Sequence, residues 1–112
     1  LKLINQDAFK VFDPSYQLLT TNYSCIIVDI FLSTPPYIDN KSNQLSFIKK
    51  LLPILKNDGI LIFNRPSHNQ LSRQMGVELQ QQLQILFKSV RVFDIHDPRG
   101  YRNFVISAKD RR

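Results

Sequence analysis

The sequence predicts an α/β fold: a mostly parallel sheet with packed helices, closed by a C-terminal antiparallel hairpin. Three observations carry this reading. Cys25-Ile26-Ile27-Val28-Asp29-Ile30-Phe31 and Ile60-Leu61-Ile62-Phe63-Asn64 are apolar runs of the kind found in strands covered on both faces. Around them, apolar residues recur at three- and four-residue spacing, the mark of a helix packing one stripe on a sheet. Finally, Val90-Arg91-Val92-Phe93-Asp94-Ile95 and Asn103-Phe104-Val105-Ile106-Ser107-Ala108 flank the turn Asp97-Pro98-Arg99-Gly100, as in a hairpin.

Taken in order, Leu1-Lys2-Leu3-Ile4-Asn5 alternates weakly and reads as a short strand ending at Gln6-Asp7-Ala8. Asp7 is an N-cap for a helical turn over Ala8 to Phe12, which Asp13-Pro14 stops. The strand from Cys25 follows, with Asp29 near its carboxyl end, where open α/β sheets bind ligands. Leu32 to Asn40 is a restricted loop containing Pro35, Pro36 and Tyr37.

From about Lys41, Leu45, Ile48, Leu51, Leu52 and Leu55 form a helical stripe that Pro53 interrupts. Asn57-Asp58-Gly59 is a turn in which Gly59 is free to take a positive φ. After the Ile60 strand, Ser67-His68-Asn69-Gln70 has capping-box spacing, and Leu71, Met75, Leu79, Leu83, Leu86 and Phe87 continue as a helical stripe. The polar tail from Lys109 is expected to fray.

Length bounds the architecture: 112 residues make one domain, residues 1–112, without a linker. A formal charge of +6 fits a solvated basic surface, and it leaves nucleic acid open as a partner, although no basic stripe interleaves with aromatics. The single cysteine, Cys25, excludes an internal disulfide and reads as a buried, inert thiol, and no zinc-ligand cluster is present. No apolar run is long enough to span a bilayer, so the expected setting is cytoplasmic, without a membrane partner. The chain begins at Leu1 rather than Met, which suggests a fragment or a processed product.

The order of these pieces resembles the C-terminal half of the spermidine synthase-like branch of the Rossmann-type S-adenosylmethionine-dependent transferases. The matching residues are Gln6-Asp7-Ala8-Phe9, Tyr23 to Phe31, Phe47 with Leu55 to Asn64, and Phe87-Lys88-Ser89-Val90 leading to Asn103 to Ile106. The resemblance implies a Rossmann-like three-layer sandwich that lacks the N-terminal cofactor-binding half. It implies S-adenosylmethionine or its decarboxylated form as cofactor, and methyl or aminopropyl transfer to an amine or other small-molecule acceptor.

By the same resemblance, Asp7 accepts from the adenine amino group and Ala8 meets the ring with its backbone N–H. Asp29 stands beside the sulfonium and the acceptor amine, and Asn64 shapes the acceptor side. Tyr37, amid the prolines, covers the ligand or packs the loop. Two departures follow. The family's second acid falls on Leu32, which cannot act as a base. No Gly-x-Gly turn is present either, since Gly59, Gly76 and Gly100 stand far apart.

A sheet without its first strands leaves an apolar edge, and pairing with a second copy as a homo-oligomer is the simplest remedy. A non-catalytic dimerisation or scaffold module with the same fold is therefore the alternative to a transferase domain. His68 falls at a helix N-terminus and reads as a surface residue. His96 with Asp97 offers a proton acceptor near the same end of the sheet, but no nucleophile completes a triad.

Overall fold

The computed structural model describes residues 22–30 and 41–112. Along the chain run β1 (Tyr23–Val28), α1 (Leu45–Leu51), β2 (Leu55–Pro66), α2 (Gln70–Leu86), β3 (Phe87–His96) and β4 (Arg102–Arg111). Short 3-10 turns flank α1 at Lys41–Asn43 and Leu52–Ile54. The strands form one sheet in the order β1-β2-β4-β3. β1 and β2 are parallel, whereas β4 is antiparallel to both β2 and β3.

The α/β class and the C-terminal antiparallel hairpin are thus both present. The last strand, rather than the first strand of the hairpin, joins the parallel part, so β4 lies between β2 and β3. The strand expected over Leu1 to Asn5 falls outside the described residues.

Side-chain alternation decides which face is covered. Val28 of β1, Leu61 and Phe63 of β2, and Ile106 and Ala108 of β4 are buried in one cluster with Phe47, Ile48 and Leu51 of α1 and Leu79 and Leu83 of α2. Both helices therefore pack on the same face, and the described residues hold the sheet and one helical layer of the expected sandwich. Full burial of each such aliphatic or aromatic side chain contributes about 1.5–3 kcal/mol, so this cluster is the main source of stability. The opposite face carries Cys25, Ile27, Ile60, Ile62, Val105 and Phe93, which register across the strands. Cys25 is accordingly exposed, not buried as expected, because it points away from both helices.

Several boundaries depart from the sequence reading for identifiable reasons. α1 stops at Leu51, and Pro53 sits in the following 3-10 turn, where its missing N–H costs no helical hydrogen bond. β2 begins at Leu55, so the predicted turn at Asn57 to Gly59 is an irregular stretch of strand instead. There the register jumps from Tyr23 opposite Leu55 to Cys25 opposite Ile60. Gly100, at φ 96°, is the glycine that takes a positive φ among the described residues. Gly59 is needed for close approach instead: a Cβ there would lie 2.6 Å from Leu55 Cδ1.

The helix cap also moves. Asn69, not Ser67, caps α2, and its side chain accepts from the Ser72 N–H at 2.8 Å while Ser72 Oγ accepts from the Asn69 N–H at 3.0 Å. Ser67 is buried, and its N–H donates to the Arg102 carbonyl at 2.9 Å, which extends the sheet contact past Pro66. Phe87, expected on the helical stripe, caps α2 in extended conformation and opens β3 with no intervening turn.

The tail does not fray. Lys109 registers with Ser89 and Arg111 with Phe87, and the Arg112 N–H donates to the Leu86 carbonyl at 2.9 Å. No helix among the described residues is long and apolar enough to cross a membrane.

Candidate functional site

The carboxyl ends of the parallel pair lie side by side, and each presents a polar residue. Asp29 directly follows β1, and Asn64 stands near the end of β2. Asn64 Nδ2 donates to Asp29 Oδ1 at 3.4 Å, and Asn103 Nδ2 donates to Asn64 Oδ1 at 3.0 Å. An ionised carboxylate only accepts, so Asn64 must turn its NH2 toward Asp29 and its carbonyl toward Asn103, which fixes the amide orientation. Asp29 is exposed, while both asparagines are half-buried. The result is a carboxylate steered by two amides and open to solvent on its remaining side.

The sequence places Asp29 and Asn64 at this end of the sheet, and the structure brings them together. Asn103 is the member that the sequence reading missed. The available signal was topological: an antiparallel strand starts where its parallel neighbour ends, so polar residues early in β4 must adjoin the end of β2.

Beneath Asn64, the next residue turns to the opposite face. Arg65 is fully buried. Its Nε donates to Asn43 Oδ1 at 3.3 Å, its Nη1 to the Asn64 carbonyl at 3.4 Å, and its Nη2 to Ser42 Oγ. The guanidinium also lies 5.4 Å from the centre of the Phe63 ring. Asn43 in turn donates to the Met75 carbonyl at 2.9 Å. A buried charge is costly unless it is hydrogen-bonded, and these bonds tie the turn before α1 and the middle of α2 to the strand that carries Asn64. A charged residue after an apolar run reads as a strand end. The alternation of Leu61, Phe63 and Arg65 was the sign that it faces inward.

The hairpin loop carries its own charged pair. Asp97 accepts from the Arg99 backbone N–H at 2.7 Å and from the Arg99 side chain at 3.0 and 2.9 Å. That guanidinium holds the Asp97 carboxyl below the usual aspartate range. His96 does not pair with Asp97 as expected. It lies 3.4 Å from Asp94 Oδ1 and 3.3 Å from Arg102 Nη2, because alternation along β3 puts His96 and Asp94 on one face and hands Asp97 to the turn. His68 is exposed one residue before the cap of α2, within 3.2 Å of Asn69 Nδ2.

Asp7, Ala8, Leu32 and Tyr37 lie outside the described residues, so the structure neither joins them to Asp29 nor separates them from it.

Comparison with known proteins gives the fold a context. No family model and no curated protein matches the sequence. Among solved structures, M1.HpyAVI superposes with a TM-score of 0.55 at 16% identity, over 94% of this chain and 53% of that one. SMU.776, described as "a putative methyltransferase complexed with SAH", superposes with a TM-score of 0.56 at 14% identity, over 92% of this chain and 30% of that one. The chain therefore shares the fold of these proteins and spans about half or less of their length.

Proposed function

We propose that the chain is the acceptor-side portion of an S-adenosylmethionine-dependent transferase-type domain, spermidine synthase-like in its sequence pattern. The observation that carries this reading is the Asp29–Asn64 contact at the carboxyl ends of two parallel strands, where α/β sheets place their ligands. The fold shared with SMU.776, solved in complex with SAH, supports it.

The residues present suit such a cofactor. Asp29 is an exposed carboxylate that among the described residues accepts one long bond, from Asn64, so it keeps acceptor capacity for a cationic ligand. When bound, S-adenosylmethionine supplies an electrophilic carbon on a sulfonium. Asp29 stabilises positive charge at that position or on an acceptor amine, and Asn64, held by Asn103, keeps the carboxylate aimed. Asp7 and Ala8 take the adenine contact, and Tyr37 covers the substrate.

Leu32 stands where the aminopropyl-transferring members have a second acid. That substitution favours methyl over aminopropyl transfer, and S-adenosylmethionine over its decarboxylated form. Titration of the chain with S-adenosylmethionine tests the reading, with Asp29→Asn as the control.

A second reading is a non-catalytic module that pairs with another copy. It is favoured by the apolar face opposite the helices, where Ile27 is 66% exposed and Phe93 50%. Light scattering that shows a tight dimer, with no SAH binding, would select it over the transferase.

A further inference from the structure

Between the entry to α2 and the hairpin loop lies a cleft of about 570 Å³ lined by Pro66, His68, Arg99, Tyr101, Arg102 and Asn103. Its chemistry is cationic and aromatic. Arg99 and Arg102 both line it, whereas the carboxylates that pair with them, Asp97 and Asp94, do not. Tyr101 is 70% exposed, and the Arg99 guanidinium lies 5.7 Å from its ring centre. Asp97 holds Arg99 through two side-chain bonds, which sets the planar cation beside the exposed aromatic ring. Arg102 reaches the cleft with a partly exposed side chain, its Nη2 bonded to Asp94 Oδ2 at 3.2 Å.

We propose that this cleft is the binding subsite of a nucleotide unit, with the base stacked on Tyr101 and Arg99 and the phosphate facing Arg99 and Arg102. Aromatic and guanidinium planes stack bases, and guanidinium forks match phosphate oxygens. The subsite's place in a reaction rests on the transferase reading, because Asn103 both lines the cleft and donates to Asn64 beside Asp29. Free nucleotide and single strand share this chemistry.

The test is fluorescence anisotropy of the whole chain with a fluorescein-labelled oligothymidylate, competed with uridine monophosphate or inorganic phosphate. The strand should bind with an affinity that falls as salt rises, and the monophosphate should displace it far better than phosphate alone. Tyr101→Ala and Arg99→Ala should each weaken binding about tenfold. Both side chains are exposed, so circular dichroism should show an unchanged fold. A monophosphate as tight as the strand marks a free nucleotide as the ligand, and a much weaker one marks a strand.

No strand binding, equal competition by phosphate, or unaltered affinity in Tyr101→Ala overturns the proposal. SAH titration separates the two readings. Strand binding without SAH binding removes the transferase and keeps the cleft, whereas SAH binding without strand binding does the reverse.

Discussion

Gly76 of α2 sits directly on Phe104 of β4: a methyl group at Gly76 would stand 2.6 Å from Phe104 Cδ2 and 3.0 Å from Cε2. The missing side chain is what lets α2 approach the strand next to Asn103. Gly76→Ala gains about 1 kcal/mol of helix propensity but overpacks the contact, which costs about 1–3 kcal/mol. Urea denaturation should therefore show a net loss of stability. Combining it with Phe104→Leu should restore part of that loss, since the two positions are coupled through one contact.

Beyond the apolar packing of Ile106 and Ala108, the far end of β4 is held by a cation. Arg111 Nη2 donates to the carbonyls of Leu52 at 2.7 Å and Lys56 at 3.4 Å, and also to that of Leu55. Hydrogen bonds from a charged donor contribute roughly 1.5–3 kcal/mol, so Arg111→Ala should lower the unfolding free energy by about that much. Arg112, whose Nε reaches the Gln84 carbonyl at an exposed site, should tolerate alanine within about 0.5 kcal/mol.

The hairpin turn responds to acid in a definite direction. Arg99 lowers the Asp97 pKa in the folded chain. The stabilisation is thus present above the unfolded aspartate value and is lost as pH falls through the depressed folded value. An NMR titration of Asp97 should place its midpoint below that of a free aspartate, and Arg99→Ala should return it upward.

How much of this could be read from the sequence depended on what kind of force decides each feature. Apolar continuity marks β1 and β2 because burial selects those residues directly, and their ends then locate Asp29 and Asn64 as neighbours. The frayed tail was the wrong expectation because Arg111 acts on backbone carbonyls, which leave no trace in the residue pattern. The cap at Asn69 competes with an equally good Ser67 spacing, and the choice falls to Asn69 once Ser67 pairs with Arg102. Asn103 and Arg65 read as ordinary polar residues until strand pairing shows which one adjoins the site and which one lies beneath it.

Isothermal titration of the chain with S-adenosylmethionine, in the native sequence and in Asp29→Asn, tests the central assignment most directly. Asp29 is exposed, so the variant should fold normally and isolate the carboxylate. Saturable heat that weakens about tenfold in the variant, equivalent to roughly 1.4 kcal/mol, is the predicted result. No heat at millimolar S-adenosylmethionine, or equal affinity in the two chains, would contradict the placement of Asp29 beside the reacting centre.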